Sequence, residues 1–330
     1  MSCSLGVAGW LTHTEDSVHV IDNALLSMRE AAKTPGNSFR LHDSKFRQTI
    51  KRQAIVRREL ADAAERGELH LAFQPKVTLK SGQVFSAEAL LRWVHPELGF
   101  VSPADFIPIA ESTGHIQALG RWVINEATRV LLDEDIPPGF CMSVNMSVAQ
   151  FKDPELVSTI EQAIKKLGGS CCKLELEVTE SLVMEDTAGV YKITKELVRL
   201  GAKLALDDFG TGYSSLSTVT HLPIHTLKLD KSLIDHITND QRQKTLVDIT
   251  IRGAELLGVD LVAEGVETKE QNQLLLSLGC QTVQGYYFAR PMPEAEFLSW
   301  IRDFGREASL ECLEEKLANK RVLVVQGQNG

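Results

Sequence analysis

Polar side chains interrupt the apolar runs of this sequence at recurring places, and they are the residues with which the chain could do chemistry. In LALDDFGTGYSSLS, residues 204 to 217, two adjacent aspartates end an apolar run and two glycines follow closely. Six other apolar runs carry an interruption of the same kind. The full set is Glu88, Asn145, Glu177, Asp207, Asp208, Lys228, Glu264 and Gln284.

Five of these side chains are carboxylates, and only Lys228 is cationic. Buried carboxylates need counter-charges, and one lysine cannot neutralise five of them. Sets of oxygen donors select Mg²⁺ or Mn²⁺ over zinc or copper. The pattern therefore predicts a site for one or two such cations. Five carboxylates with an amide are typical of a two-metal site in which one carboxylate bridges, an arrangement suited to phosphoester hydrolysis.

The elements that must position these residues are predicted from residue 69 onward, where short β-rich runs alternate with helical stretches. Such alternation predicts a mostly parallel sheet with helices outside it. About eight strands over roughly 235 residues favour a TIM-type barrel, whose usual size is about 250 residues, with a doubly wound open sheet as the alternative. In a parallel barrel the C-terminal strand ends converge on one face. The predicted strands are LHLAFQP, VFSAEALLRW, CMSVNMS, KLELEVT, KLALDDF, TLKLD, LVAEGV and TVQGYYF.

Composition restricts the class of protein. Of 330 residues, 43% are hydrophobic and 24% are charged, which is typical of a soluble globular protein. The net charge of -9 argues against a nucleic-acid polymer as partner, because phosphate binding normally requires a basic patch. We find no signal peptide, no run of about 18 apolar residues, and no metal-ligand spacing among the six cysteines. We expect a cytoplasmic chain with reduced thiols and no membrane contact from this portion.

The segments on either side of the alternating region have different patterns. Residues 17–33 carry apolar side chains at helical spacing, the strand-like SFRLH follows, and residues 44–66 are strongly charged with a thin apolar stripe. This predicts a helix, a strand and a solvated connecting helix. At the other end, REASLECLEEKLANK is typical of a charged helix, and a short strand and polar tail follow it.

Eight short motifs follow one another between residues 73 and 292. They are FQPKV, EALLRW, NMS, EVTE, DDFGTGYSSL, LKLDKS, AEGVE and QGYYFARPM. In this set and this order the sequence resembles the EAL-domain family of cyclic di-GMP phosphodiesterases, over roughly residues 66 to 304. The resemblance implies a modified TIM barrel whose first strand runs against the others. It also implies Mg²⁺- or Mn²⁺-dependent opening of cyclic di-GMP to linear pGpG.

The resemblance further implies a role for each matched polar residue in binding two metal ions. Asp207 would bridge the ions, with Asp208 and Glu264 completing the shell of the second ion or holding its waters. Lys228 would orient or polarise the attacking water. The implied ligands of the first ion are Glu88, Asn145, Glu177 and Asp207.

Four more positions take their expected roles from the family. Gln74 and Arg92 resemble substrate contacts, and a guanidinium is a natural partner for a phosphate oxygen. Glu267 resembles the residue that anchors the DDFGTGYSS loop, and Gln284 the one that helps to position water and second-metal ligands. A homodimer is expected as well, because the family pairs through the region after DDFG.

Two other functions stay open at this point. Some relatives have lost metal ligands and act as silent cyclic di-GMP receptors, although the intact acidic set here argues against that. The generality of the fold also leaves a Mg²⁺-dependent barrel enzyme acting on another substrate.

Residues 3–43 resemble, more weakly, the closing portion of a GGDEF (diguanylate cyclase) domain without its signature. The expected organisation is therefore a partial GGDEF-like segment in 1–43, a connecting helix in 44–66, an EAL phosphodiesterase domain in 67–304 and a C-terminal helix and tail in 305–330. We expect no cyclase activity from the first segment.

Overall fold

The computed structural model describes residues 2–9, 19–168, 173–179, 182, 187–210 and 222–304. Its first elements form a small parallel unit, in which β1 (Ser4–Val7) pairs with β2 (Ser38–Leu41) and α1 (His19–Ala31) packs on both. Helix α2 (Ser44–Glu59) follows. The predicted connecting helix is therefore present, but it ends seven residues early in a short 3₁₀ turn.

Eight strands close into a barrel that confirms the predicted α/β fold class. The strand order is β3-β11-β10-β9-β8-β7-β6-β4, and β4 pairs back onto β3. Two short strands, β5 (Gly99–Val101) and β12 (Met292–Pro293), add to β4 and β3. The barrel strands are β3 (Leu69–Thr78), β4 (Ser86–His95), β6 (Cys141–Met146), β7 (Lys173–Thr179), β8 (Lys203–Phe209), β9 (Thr226–Leu229), β10 (Asp260–Ala263) and β11 (Thr282–Val283).

Strand β3 runs antiparallel to both of its barrel neighbours, β4 and β11. The other neighbouring barrel strands are parallel. The expected reversal of the first strand is thus confirmed. Strand β3 enters the barrel from the opposite end. Its first residues therefore lie at the mouth, where the other strands end, and its later residues lie deeper in the barrel.

Helices surround the barrel and cover its outer surface. In α4 (Ile116–Leu131), buried side chains recur every three or four residues, as expected for a helix with one face on a core. Helix α8 (Gln241–Leu257) is capped at its start by Asp240, whose side chain accepts a hydrogen bond from the Arg242 amide. It ends at Gly258, whose φ lies in the left-handed region. The helices are α3 (Pro103–Thr113), α4 (Ile116–Leu131), α5 (Leu156–Leu167), α6 (Thr187–Leu200), α7 (Lys231–Ile234), α8 (Gln241–Leu257), α9 (Lys269–Ser277) and α10 (Glu294–Phe304).

Two apolar cores hold these layers in place. The larger lies in and around the barrel and includes Phe73 and Met142. The smaller joins α2 to the barrel through Val56, Trp93 and Phe106, which are fully buried. Strand β4 therefore contributes residues to both cores: Ala89 lies in the larger core and Trp93 in the smaller.

No helix in the described ranges is both long and apolar enough to cross a membrane. Among the cysteines described, Cys3, Cys141 and Cys280 are free thiols. Part of the predicted DDFGTGYSS loop and the predicted helix and tail at 305–330 lie outside the described residues. The cytoplasmic location, the domain boundaries and the GGDEF-like origin of the first segment remain predictions.

Candidate active site

Lys228 lies at the point where the strand ends converge. It is on β9 with a side chain only 1% exposed, and its Nζ is 2.6 Å from Glu177 Oε2, 3.0 Å from Asp207 Oδ1 and 2.7 Å from Glu264 Oε1. Glu88 Oε2 lies farther away, at 3.9 Å. Carboxylates from four parts of the barrel therefore surround one ammonium group.

Glu177 is held by a lysine at each of its two carboxylate oxygens. Its Oε2 accepts a hydrogen bond from Lys228, and its Oε1 accepts one from Lys76 Nζ at 2.8 Å. Burial alone would raise the pKa of this carboxyl. The two lysines reverse that effect and lower the pKa of Glu177 to about 2.

Glu88 is held by amides and not by cations. Asn145 Nδ2 donates to its Oε1 at 2.6 Å, and Gln284 Nε2 donates to its Oε2 at 2.7 Å. Gln284 Nε2 also lies 3.0 Å from Gln74 Oε1, and Gln74 Nε2 donates to the carbonyl of Ala289. The predicted substrate contact Gln74 is thus buried and connected to Glu88 through Gln284.

Gln284 reaches the cluster because the chain turns tightly after β11. The predicted strand through residue 288 ends at Val283, and Gly285 lies against the backbone of Val266. A Cβ atom at position 285 would lie 2.0 Å from the Val266 carbonyl oxygen. Glycine is therefore required for this close approach.

Asp207 and Asp208 occupy an irregular part of β8. The pairing with β9 shifts register between Leu206 and Phe209, which is a β-bulge. Asp208 has a φ of 56°, in the left-handed region that aspartate tolerates better than most side chains. The strand therefore bends at Asp208. Asp207 faces Lys228, whereas the Asp208 side chain is exposed.

Negative charge is in excess around Lys228, and this excess shifts the pKa values of the carboxyl groups. Burial together with neighbouring carboxylates raises the pKa of Glu88, of Asp207 and of Asp208. The same causes, opposed by Lys228, raise the pKa of Glu264 to about 8. The carboxylates in turn outweigh burial and raise the pKa of Lys228 well above its ordinary value. Further positive charge would therefore stabilise the site.

Two predicted residues lie outside this cluster. Arg92 is half-buried, donates to the Leu91 carbonyl, and lines a pocket of about 400 Å³ that Asn145 also borders. Burial lowers the pKa of Arg92, and the nearby Glu88 opposes that shift. Glu267 is exposed and pairs with Lys231 at 2.7 Å. The loop that it is expected to anchor lies partly outside the described residues.

Known proteins resemble this chain in sequence and in fold. The sequence profile of the EAL domain matches residues 57–291. The chain belongs to the EAL domain family. It is 35% identical over 304 residues to the bifunctional diguanylate cyclase/cyclic di-GMP phosphodiesterase MucR of Pseudomonas aeruginosa, covering 91% of this chain and 44% of that protein. It is 34% identical over 308 residues to the cyclic di-GMP phosphodiesterase PdeR of Escherichia coli, covering 93% and 46%.

A solved structure of the MucR phosphodiesterase in complex with cyclic di-GMP has the same fold as this EAL domain. It superposes with a TM-score of 0.66 at 37% identity, over 73% of this chain and 99% of that one. The chain spans under half the length of the two curated relatives. The similarity therefore concerns the EAL domain and the segment before it.

EAL phosphodiesterases depend on metal ions in general. Among the described side chains, no group of three or more His, Cys, Asp or Glu residues has the arrangement of a metal site. The Lys228 ammonium lies among the carboxylate oxygens instead. Two observations nevertheless fit a cation. Glu264 Oε1 and Gln284 Oε1 are buried and accept no hydrogen bond from the residues that the structure describes, and the contact from Lys228 to Glu264 is an ion pair without hydrogen-bond geometry. The donors are also the oxygens that Mg²⁺ and Mn²⁺ prefer.

Sequence reasoning missed a second buried cation in this EAL domain. Lys76, in the motif FQPKV, is 1% exposed and contacts Ser143 and Glu177. The signal was available, because Gln74 and Lys76 are two residues apart and so share one face of β3. Because Gln74 was assigned to the site, the sequence also indicated that the Lys76 side chain points into the barrel.

Proposed function

We propose that this EAL domain hydrolyses cyclic di-GMP to linear pGpG at the Lys228 cluster. The observation that carries the proposal is the convergence of Glu88, Glu177, Asp207 and Glu264 on one point at the mouth of the barrel. Relatives that share about a third of the sequence are named cyclic di-GMP phosphodiesterases. The same oxygen set would serve phosphoester hydrolysis.

The site would take two Mg²⁺ or Mn²⁺ ions. When bound, such ions supply Lewis-acid stabilisation of the phosphate and lower the pKa of a water molecule. The carboxylates have the excess negative charge that this requires, and Asn145 Oδ1 remains available because the amide binds Glu88 through Nδ2. The proposed ligands are Glu88, Asn145, Glu177, Asp207, Asp208 and Glu264.

The chain's own residues would position the reactants. Lys228 is a cation at neutral pH because its carboxylate neighbours raise its pKa, so it would donate to the attacking water or to a phosphate oxygen. In the reaction a water oxygen bonds to phosphorus and the bond from phosphorus to O3′ breaks, so that the leaving oxygen takes a proton. Arg92, at the rim of the neighbouring pocket, would bind a phosphate oxygen through its guanidinium.

One experiment separates this function from a silent receptor. The full chain is incubated with cyclic di-GMP and Mg²⁺, and the mixture is chromatographed while binding is measured separately by calorimetry. Production of pGpG supports the enzyme. Binding without product would identify a receptor, and the absence of binding would exclude both.

The expected homodimer has a candidate surface on α8. Leu246, Ile249 and Leu256 are 47%, 55% and 88% exposed. Their spacing places them, with Gly253, on one face of the helix, which we call the α8 stripe. Spacings of three and four residues with a small residue between large ones suit the packing of one helix against another. We propose that a second copy of the chain covers this stripe.

A further inference from the structure

Lys76 lies deeper in the barrel than the residues of the proposed active site. Because β3 runs against the other strands, Gln74 pairs with Glu88 near the mouth, whereas Lys76 pairs with Ser86 at the start of β4. Its side chain points into the barrel and is 1% exposed. A lysine buried in this way is costly unless charged and polar partners surround it.

The partners of Lys76 form a closed polar network below the Lys228 cluster. Its Nζ lies 2.7 Å from Ser143 Oγ, 2.8 Å from Glu177 Oε1 and 3.5 Å from Glu175 Oε2. Glu175 in turn accepts from Ser143 Oγ at 2.6 Å and from Thr226 Oγ1 at 2.6 Å. Glu175 thus supplies a counter-charge to Lys76 that does not reach the mouth.

Glu177 joins this network to the Lys228 cluster. Lys76 holds its Oε1 and Lys228 contacts its Oε2, so the carboxylate is fixed at both oxygens. Oε2 shares the Lys228 ammonium with oxygens of Asp207 and Glu264, whereas Oε1 contacts Lys76. A carboxylate free to rotate could bind a cation through either oxygen or both.

We propose that Lys76 is a positioning residue for the reaction, because it holds Oε1 of Glu177 and leaves Oε2 alone to bind a divalent cation. The proposal rests on the proposed function. It assigns a purpose to a buried ammonium that no step of the hydrolysis uses. Glu177 and Glu175 together outweigh burial and raise the pKa of Lys76, so the group stays charged at neutral pH.

A double variant separates positioning from mere structure. Lys76→Met leaves Glu175 buried without its cation and lowers both the melting temperature and the affinity for metal. In Lys76→Met/Glu175→Gln the network is neutral again, so the melting temperature recovers. The dissociation constant for Mn²⁺, measured without substrate by the electron paramagnetic resonance of free Mn²⁺, stays raised on the order of 10–100-fold, the usual effect of losing a residue that orients a ligand.

The controls make each outcome decisive. Glu175→Gln alone keeps Lys76 on Glu177 and retains Mn²⁺ affinity near that of the wild type. Lys76→Gln keeps a donor for Glu177 Oε1 and restores part of the affinity, which supports positioning even if Lys76→Met does not fold. A double variant that binds Mn²⁺ as tightly as the wild type would overturn the proposal. Failure of the proposed function is distinguishable, because the wild-type chain would then neither bind Mn²⁺ nor hydrolyse cyclic di-GMP.

Discussion

Lys228 Nζ and Glu264 Oε1 lie 2.7 Å apart at the open end of the barrel, yet the glutamate oxygen accepts no hydrogen bond from the ammonium group. The contact is electrostatic, and it leaves a buried oxygen with capacity to bind a cation or a water molecule. In the proposed function both residues would contact the reactants of the hydrolysis. The pair is the starting point for two predictions.

Replacing Glu264 should remove activity without unfolding the protein. In Glu264→Gln the side chain can no longer ionise or transfer a proton while its size is kept, so we expect turnover of cyclic di-GMP to fall about 10²–10⁴-fold, the range for a group that handles a proton or water. The rate is measured by chromatography of pGpG, with circular dichroism as a check of folding. Glu270→Gln, at the exposed start of α9, is the matched control. Hydrolysis by Glu264→Gln near the wild-type rate would remove Glu264 from the site.

Replacing Lys228 should destabilise the metal-free protein. Lys228→Met leaves Glu177 and its neighbours without their shared cation, and breaking a buried ion pair costs about 3–5 kcal/mol. Added Mg²⁺ supplies the missing charge, so the rise in melting temperature with Mg²⁺ should be larger for the variant than for the wild type.

The control for that prediction is Lys231→Met, which removes an exposed lysine that also contacts two carboxylates. Exposed ion pairs contribute about 0–1 kcal/mol, so this variant should respond to Mg²⁺ as the wild type does. An equal Mg²⁺ response in all three proteins would contradict the view that Lys228 and the cations share one set of oxygens.

A Glu267 variant tests whether a residue outside the Lys228 cluster affects activity. Lys231 Nζ binds both Glu267 Oε1 and Asp235 Oδ1 at 2.7 Å, so Glu267→Ala and Asp235→Ala remove equivalent surface ion pairs. If Glu267 anchors the loop after Asp208, only Glu267→Ala should lower turnover or the apparent affinity for Mg²⁺. Equal Mg²⁺-dependent rates in the two variants would show that its role is confined to the surface pair.

The α8 stripe should hold two copies of the chain together. Leu246→Glu/Ile249→Glu places charges on exposed positions of the helix, so folding should be unaffected while self-association is lost. Size-exclusion chromatography with light scattering gives the mass of each form at micromolar concentration. A control on the same helix, Arg252→Glu, changes the net charge by the same amount at a position beside the stripe. A monomeric wild-type chain would exclude the dimer.

Much of this site could be predicted from sequence because strand ends in a parallel barrel share one face. A polar residue at the end of an apolar run therefore indicates both its element and its neighbours. Glu88, Asn145, Glu177, Asp207 and Gln284 meet as the strand pattern predicts. Helix α3 contains Pro108, and proline in a run normally argues against a helix interior, so this helix is hard to predict from its sequence.

Other features depend on packing that no local pattern encodes. A β-bulge adds one residue to one strand. Nothing in LALDDF shows that the backbone of Asp208 adopts the left-handed conformation. The network around Lys76 depends on four strands that meet only in the closed barrel. The predicted first strand ended at Pro75, whereas β3 continues to Thr78 and places Lys76 in the interior.

The most direct test of the proposed function is to follow the oxygen that enters the product. The full chain is incubated with cyclic di-GMP and Mg²⁺ in water enriched in oxygen-18, with and without excess chelator, and the products are identified by mass spectrometry. We predict pGpG with one oxygen-18 atom in its 5′-phosphate, formed only when Mg²⁺ is available. Unchanged cyclic di-GMP in the presence of Mg²⁺, or equal product formation with excess chelator, would contradict metal-dependent hydrolysis at this site.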